Sequence, residues 1–283
     1  LELPWTFSTF DYPSLCELLW AQSDASFETA KVDGRSGDVV HTDRGDLRAP
    51  IVVDALGWKR MLAPAHYQPP DAPLSRGLEV HPHVEDAGSR SDALDVWVQR
   101  DLVRRGYAWR VPAGGEARIG VGSYDPRRHV REPTVSLAQR LGADAVRYQG
   151  NWFPHRLREA TEGGVFFVGD SAGHCIPLSG EGIRTAFYFG IACGRELRGV
   201  LEGDRSRADA LRRYAAFHER HRPFFRHAER LQRLVPALPP RVLTLALRAL
   251  GRRSLVDRAF GWYLDQAHPS QACERAPATA LAA

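Results

Sequence analysis

The pattern of apolar and polar positions divides the chain into a mixed first part and a helical last part. Near the start, three leucines fall on one face of a predicted helix over residues 11–22. Two weakly alternating segments, 27–32 and 38–42, predict antiparallel strands around a glycine-containing turn. From residue 208 onward the apolar spacing is that of helices. The chain therefore combines strands and helices.

Several consecutive strands are predicted in the middle of the chain. They cover residues 77–83, 93–101, 106–111 and 117–124. Because no helical pattern separates them, they predict an antiparallel sheet. A short helix over 137–142 and an extended segment over 148–154 follow. The proline-rich segment 63–76 lacks periodicity and predicts a crossing between domains.

Two short apolar runs predict strands that are buried on both faces of a parallel sheet. The first begins at Ile51 and ends in Asp54, and the second covers residues 165–168 and is followed by Asp170. A loop rich in Gly, Ser and Pro then opens into a helix near Gly180. In open α/β sheets, ligands bind outside the carboxyl ends of strands, and a helix N-terminus adds a positive dipole end. The pattern therefore predicts a ligand site at Asp170, whereas an isolated Gly-Asp would be read as a turn cap.

The loop carries an ordered motif. It reads Gly169-Asp170-Ser171-Ala172-Gly173, then Pro177, then Gly180-Glu181-Gly182-Ile183 with Thr185-Ala186 after it. This resembles the second flavin-binding motif of FAD-dependent oxidoreductases, and more narrowly the geranylgeranyl reductase branch of the p-hydroxybenzoate-hydroxylase-like flavoproteins. The resemblance implies that Asp170 binds a ribityl hydroxyl of FAD and that the following helix points its N-terminus at the flavin's pyrimidine edge. The other residues that it places at the cofactor are Gly169, Gly173, Pro177, Gly180, Glu181, Gly182 and Ile183.

The first strand end extends the resemblance. A helix, a small β-meander and a strand ending Asp54-Ala55-Leu56-Gly57-Trp58 follow the order found in this family. In that family this segment passes close to the cofactor, which implies that Asp54 and Gly57 bind FAD. The residues alone allow another interpretation, in which Asp54 caps a turn and Gly57 supplies a positive φ.

A second motif lies in the predicted antiparallel sheet. The segment from Tyr107 to Pro112 resembles the Tyr-x-Trp-x-Phe-Pro of geranylgeranyl reductases, with Val111 in place of the Phe. Alternation puts Tyr107, Trp109 and Val111 on one face of a strand. Two aromatic rings side by side make a flat apolar wall suited to a prenyl chain or a polycyclic substrate. The alternative is an ordinary sheet core whose aromatic residues face a helix.

The resemblance implies an FAD-dependent oxidoreductase that acts on a hydrophobic substrate, with NAD(P)H or a reduced electron carrier as donor. Two reactions fit: reduction of carbon–carbon double bonds in an isoprenoid-like chain, and hydroxylation or epoxidation of an aromatic or polycyclic substrate. His174 and Cys175 lie in the flavin loop and are weak candidates for a proton donor, although each also fits a packing role. A third possibility is a truncated flavoprotein relic that binds a partner without catalysis.

Composition and charge narrow the class further. The 283 residues carry a formal net charge of +4, and the arginines are scattered among acids, so no nucleic-acid surface is predicted. The four cysteines lie far apart without metal-ligand spacing, which predicts no metal site, no disulfide framework and a cytoplasmic protein. No obligate protein partner is evident. Arg241, Arg248, Arg252 and Arg253 surround the apolar stretch 242–250 and predict either a peripheral membrane contact or a packed terminal helix.

The predicted fold class is α/β, mixed with α+β: a remnant of a Rossmann-like FAD-binding domain, an antiparallel substrate domain and C-terminal helices. The G-x-G-x-x-G segment that opens such a flavoprotein is not found, and the chain begins at Leu1, so we expect a missing N-terminal dinucleotide unit and weak or no FAD binding by this segment. The predicted parts are the first part of the FAD-binding domain (1–62), the substrate-binding domain (63–150), the return segment of the FAD-binding domain (151–202) and a helical region (203–283) with a disordered tail from Pro269.

Overall fold

The computed structural model describes residues 7–64, 73–83 and 93–273. Its strands are β1 (Val32–Ser36), β2 (Val39–Thr42), β3 (Gly45–Arg48), β4 (Val53–Asp54), β5 (Leu74–Val80), β6 (Asp95–Trp97), β7 (Gly106–Ala113), β8 (Glu116–Ser123), β9 (Gln149–Pro154), β10 (Thr161–Glu162) and β11 (Val165–Phe167). Its helices are α1 (Tyr12–Trp20), α2 (Arg131–Arg140), α3 (Ile183–Leu201), α4 (Arg207–Glu219), α5 (Arg222–Leu234), α6 (Pro240–Leu250), α7 (Arg253–Asp265) and α8 (Pro269–Cys273).

The strands form three sheets. An antiparallel meander has the order β1-β2-β3, and a second sheet has the order β10-β11-β4, in which β11 pairs with β4 in parallel. The third sheet is antiparallel, with the order β6-β7-β8-β5-β9. The mixed class and the antiparallel middle sheet that the sequence predicts are confirmed.

Two apolar cores position the site. One lies between the large sheet and α2, where Ala108, Ile119 and Val121 pack with Val130 and Leu137. The other gathers α3, α4 and α5 around the strand β11. All three residues of β11 are fully buried, as a strand covered on both faces requires.

The second core is fixed to β11 by a hydrogen bond. The hydroxyl of the buried Tyr214, on α4, donates to the carbonyl of Phe167 at 2.9 Å. This bond gives a polar group inside the core a partner, which its burial requires. The end of β11 is therefore held from the helical side, immediately before the predicted ligand loop.

Several predicted bounds are wrong. The strand predicted over residues 27–32 begins at Val32 instead, and the meander has a third strand, β3. The strand predicted from Ile51 is only Val53–Asp54, and Val53 is 39% exposed, so the prediction that this strand is buried on both faces is wrong. The helix predicted over 137–142 covers Arg131–Arg140, with a proline in its first turn, where the missing N–H costs nothing. The predicted crossing over 63–76 falls largely outside the described residues.

The tail predicted to be disordered from Pro269 is also wrong in its first residues. Pro269–Cys273 is the helix α8, and Ala272 is buried in the helical core. Arg195 donates from Nη1 to the Ala272 carbonyl at 2.8 Å. A contact from a distant helix therefore orders a segment whose local sequence has no signal of its own.

Neither a membrane span nor a metal site is found in the described part of the chain. Across the three described ranges, no helix is both long enough and apolar enough to cross a bilayer. Within the same ranges, no group of three His, Cys, Asp or Glu side chains is placed to hold a metal ion.

Candidate functional site

The loop after β11 makes a tight turn that only glycine allows. Gly169 has a φ of 65° and begins a single 3-10 turn, Gly169–Ala172, which ends at Gly173 with a φ of 72°. A Cβ atom at Gly173 would come within 2.1 Å of the Arg156 carbonyl oxygen. The backbone conformation therefore requires glycine at both positions, whether or not a ligand binds there.

Asp170 lies in this turn with a carboxylate that has no internal partner. The side chain is half-buried, and among the described residues none donates a hydrogen bond to its oxygens. Burial raises the pKa of Asp170 to about 6, and the positive charge of Arg158 opposes that rise. A Cβ atom at Gly182 would lie 3.9 Å from Oδ1, so the carboxylate faces the start of α3. Asp170 is thus a hydrogen-bond acceptor available to a ligand.

The N-terminus of α3 adds donors and positive potential beside Asp170. The helix is 19 residues long, and its N-cap residue, Gly182, provides no side-chain cap. Its first backbone N–H groups therefore lack the usual acceptor, and the helix dipole favours negative charge there. Ile183, the first helical residue, is 42% exposed. The predicted juxtaposition of Asp170, Gly182 and Ile183 is present in the structure.

Asp54 has a different role from Asp170. Its fully buried carboxylate accepts the N–H of Leu56 at 2.9 Å, the N–H of Leu62 at 2.8 Å and the hydroxyl of Ser171 at 2.6 Å. Gly57 has a φ of 86°. These contacts fit the turn-cap interpretation of Asp54 and Gly57, and a cofactor contact for either residue stays a prediction.

The loop 177–182 is fixed by side chains from two directions. From the large sheet, Tyr107 donates to the carbonyl of Ser179, and Tyr124 donates to the carbonyl of Leu178 at 2.7 Å. From α5, Gln232 accepts the N–H of Leu178 at 2.8 Å. Leu178 has a φ of 73°, a left-handed conformation that costs a non-glycine residue about 1 kcal/mol or more. The surrounding hydrogen bonds hold the loop in this conformation.

Glu181 is engaged by the C-terminal helices. Its carboxylate pairs with Arg184 and accepts the hydroxyl of Tyr263, which lies on α7. Ser179 also hydrogen-bonds to Tyr263, at 2.9 Å. Glu181 therefore binds the loop to α7, and the cofactor contact implied for it stays a prediction.

The aromatic wall forms on the face of the large sheet opposite α2. The rings of Tyr107 and Trp109 are 5.6 Å apart and tilted by 52°. Trp109 lies flat over Gly120, where a Cβ atom would be 2.2 Å from the indole, and donates to Glu79 at 3.1 Å. The strand register places Val111 on the same face. This face of the sheet carries the three predicted residues, and the Tyr107 side chain points towards the loop at Ser179.

The two cavities defined by the described residues lie elsewhere. One, of about 250 Å³, is lined by Arg156, Leu157, Arg222, Phe225, Arg226 and Glu229. The other, of about 290 Å³, is lined by Asp38, Arg48, Ala49, Pro50 and Arg207. Asp170 and Tyr107 line neither of these two cavities.

Comparison with known proteins identifies relatives of this arrangement. No family model matches the chain. The chain is similar to digeranylgeranylglycerophospholipid reductase 2 of Methanopyrus kandleri, with 25% identity over 246 residues that cover 81% of this chain and 61% of the relative. It is also similar to geranylgeranyl diphosphate reductase of Rhodobacter capsulatus, with 33% identity over 106 residues that cover 36% of this chain and 26% of the relative. The resemblance to geranylgeranyl reductases is confirmed.

Solved structures share the fold of this geranylgeranyl reductase-like chain. A geranylgeranyl bacteriochlorophyll reductase-like protein of Thermoplasma acidophilum has a TM-score of 0.66 at 18% identity, covering 86% of this chain and 65% of that one. HpxO of Klebsiella pneumoniae, complexed with FAD and uric acid, has a TM-score of 0.55 at 17% identity, covering 82% and 64%. The chain spans less than two thirds of the length of each of these proteins.

The two weak catalytic candidates lie behind the loop of this reductase-like fold. His174 is fully buried, stacks on Phe189 at 3.8 Å and accepts the Gly169 N–H on Nδ1 at 3.0 Å. Burial lowers the pKa of His174 well below its usual value. Cys175 is buried too, and burial raises the pKa of its thiol well above the usual range, so the thiol stays protonated. His174 supports the loop, and a proton-donor role for either residue stays a prediction.

Sequence reasoning missed the residues that anchor the loop. Tyr124, Gln232 and Tyr263 come from a strand end and two helices that are distant in the chain. Tyr124 had a weak signal, since it ends the glycine-rich strand beside the Tyr107 motif. Gln232 and Tyr263 had none, because each lies in an ordinary helical pattern and only packing brings it to the loop.

Proposed function

We propose that this chain is part of an FAD-dependent oxidoreductase that reduces carbon–carbon double bonds in an isoprenoid-like chain. The single observation that carries the proposal is the Asp170 carboxylate, which no side chain or backbone N–H of the described residues hydrogen-bonds, between the end of β11 and the uncapped start of α3. The two curated relatives, both named as geranylgeranyl reductases, support the substrate class.

The described residues fit FAD on three structural points. Asp170 offers an acceptor to a ribityl hydroxyl, since its oxygens have no donor among the described residues. The start of α3 offers backbone N–H groups and a positive dipole end to the electron-rich edge of a flavin. The glycines at 169, 173 and 182 keep side-chain bulk out of this region. FAD, when bound, supplies the hydride chemistry, and NAD(P)H or a reduced electron carrier is the proposed donor.

The sheet face supplies the apolar surface for the substrate. Tyr107 and Trp109 present two rings side by side, and Val111 continues the face along β7. The Tyr107 hydroxyl is already committed to the Ser179 carbonyl, so it leaves no free donor to favour a polar substrate. Burial raises the pKa of Tyr107, which keeps its hydroxyl neutral. These features favour a hydrocarbon chain lying across the rings.

Reduction of a double bond also needs a proton at the second carbon, and Cys175 is a protonated group near the loop. The thiol of Cys175 lies close enough to Asp170 and Glu181 for their charges to raise its pKa further. It would hold its proton at neutral pH. Cys175 is the better of the two candidates, because His174 uses Nδ1 as an acceptor and is stacked in the aromatic core.

Sequence similarity supports reduction, whereas only a shared fold supports monooxygenation. The reductases are related to this chain in sequence, whereas HpxO shares only the fold. A relic without catalysis is the third possibility. The reductase, the monooxygenase and the relic each predict a different result when cofactor, substrate and oxygen are varied.

The test uses residues 1–283 with FAD added to saturation, as judged by quenching of flavin fluorescence. Dithionite-reduced samples are incubated with geranylgeranyl diphosphate without oxygen, and products are analysed by mass spectrometry. The proposal expects products heavier by two hydrogens per reduced bond, and loss of these products with Asp170→Ala but not with the exposed-site control Asp46→Ala. Product formation that requires oxygen and adds an oxygen atom would establish the monooxygenase instead. Binding of FAD without formation of either product would support the relic.

A further inference from the structure

The helix α6 lies on the surface without covering any core. None of its residues is buried, although its sequence, PRVLTLALRAL, is rich in leucine. Val242, Leu245, Leu247 and Leu250 are 47%, 69%, 45% and 48% exposed. A soluble helix ordinarily turns such residues towards its own protein. α6 therefore presents an apolar face that the described part of the chain leaves uncovered.

The charged residues of this region have one sign. Between residues 235 and 256 the sequence has four arginines, at 241, 248, 252 and 253, and no Asp or Glu. Arg241 and Arg248 are seven residues apart and so lie on one side of the helix, at 100° per residue. Leu243, Leu247 and Leu250 lie on the opposite side, and Leu245 lies beside the two arginines. α6 is a basic amphipathic helix whose two faces are both open.

Both flanks of α6 are fixed to the rest of the protein. Arg100 Nη2 donates to the carbonyls of Pro236, Ala237 and Leu238, at 3.1, 3.3 and 3.2 Å, just before the helix. On the other side, Tyr263 of α7 hydrogen-bonds to Ser179 and Glu181. The helix is therefore held at a defined place on the molecule and is not a loose tail.

We propose that α6 binds an anionic lipid surface, with its leucines in the acyl boundary and its arginines at the headgroups. The charge supports this occupant, since four arginines without a nearby acid complement a negative surface. The apolar residues support it too. They are aliphatic and form a convex helix face without an aromatic anchor, whereas the centre of a protein interface is enriched in Trp, Tyr and Arg seated in pockets. Long arginine side chains reach the headgroups from a helix lying in the interface plane.

The experiment is co-sedimentation of residues 1–283 with two kinds of vesicle: phosphatidylcholine alone, and an equal mixture of phosphatidylcholine and phosphatidylglycerol. Binding is expected to the mixed vesicles and to weaken as salt is raised, because salt screens the arginines. Replacing Arg241 and Arg248 by Gln should reduce the partition coefficient about fivefold for each arginine. Leu250→Gln, on the side opposite the arginines, should reduce it roughly tenfold, since less apolar surface enters the lipid.

Matched controls separate this face from the rest of the surface. Leu201→Gln removes an 80% exposed leucine at the end of α3, and Arg212→Gln removes an exposed arginine of α4. Both should bind the mixed vesicles like the parent chain. Equal binding to both vesicle types, or unchanged binding of the α6 variants, would overturn the proposal. So would a dimer that Leu250→Gln dissociates, because a second copy of the chain would then cover the face.

Discussion

Ser171 donates its hydroxyl to the Asp54 carboxylate at 2.6 Å. This bond joins the loop after β11 to the end of β4, and both residues are fully buried. The Ser171 hydroxyl oxygen also lies 3.0 Å from the Gly57 carbonyl oxygen. The ends of β4 and β11 are therefore joined by a direct contact, and this contact fixes the position of Asp170, the residue before Ser171.

Asp54→Asn should destabilise the fold by about 2–3 kcal/mol. Three donors point at the carboxylate, and an amide would set its own N–H group against one of them and leave a buried donor without an acceptor. Urea unfolding followed by circular dichroism measures the loss. Asp46→Asn, at an exposed position, is the control and should change stability by less than about 0.5 kcal/mol. Equal stability of the two variants would contradict the structural role of Asp54.

Asp170→Asn should stabilise the protein at neutral pH. Burial raises the pKa of Asp170 to about 6, above its usual 3.8. The folded state therefore binds the proton more tightly than the unfolded state, and stability is lost as the pH rises from about 4 through 6. Removing the charge should recover on the order of 1–3 kcal/mol at pH 7.5 and almost nothing at pH 4.

The same variant tests the ligand role of Asp170. If its carboxylate accepts a flavin hydroxyl, Asp170→Asn should weaken FAD binding about tenfold or more, since a hydrogen bond to a charged acceptor is lost. Titration by fluorescence quenching measures this. A variant that is more stable yet binds FAD as the parent does would separate the two properties and remove Asp170 from the site.

Gly120→Ala should displace the Trp109 ring. The added Cβ atom would lie 2.2 Å from the indole, which rests against the backbone of β8. We expect a loss of about 1–3 kcal/mol in the free energy of unfolding, the usual cost of overpacking. Gly115→Ala, in the turn between β7 and β8 with nothing within 4 Å of its Cβ position, should be nearly neutral. A neutral Gly120→Ala variant would mean that the wall is not built as described.

His174 should stabilise the loop in a pH-dependent way. Burial lowers the pKa of His174 well below that of an unfolded histidine, so its contribution is present above about pH 6.5 and is lost as the pH falls. As the pH falls below about 6.5, His174 should lower the free energy of unfolding by about 1.4 kcal/mol per pH unit, and His174→Phe should abolish this decrease. The same substitution leaves the Gly169 N–H unpaired.

A second substitution separates packing from hydrogen bonding at this position. Asn places an acceptor where the histidine has Nδ1, so His174→Asn should keep the Gly169 bond and lose only the stacking on Phe189. Thermal unfolding at pH 7.5 and pH 5.5 compares the variants. Amide hydrogen exchange of the loop 169–173 is measured in both variants. If the loop amides exchange as fast in the Asn variant as in the Phe variant, the hydrogen bond does not position the loop.

The sequence predicted the elements that depend on local pattern. The buried strand before Asp170 and the antiparallel strands around Tyr107 were found because their apolar periods are short and are bounded by glycine. The bounds of β1 and α2 were missed, since neighbouring positions differ little in propensity and pairing decides where an element begins. The helix α8 was missed because its order comes from Arg195, more than seventy residues away.

The sequence alone determined which chemistry is present: a strand, a Gly-Asp turn and a helix start in one order, with an aromatic motif on a strand. It could do so because these features are local, and each residue type has a fixed donor, acceptor or conformational character. Only the tertiary structure decided how the acids are used. Asp54 and Asp170 have similar sequence contexts, but three hydrogen-bond donors surround Asp54, whereas none of the described residues donates to the Asp170 carboxylate. That difference comes from packing between segments far apart in the chain.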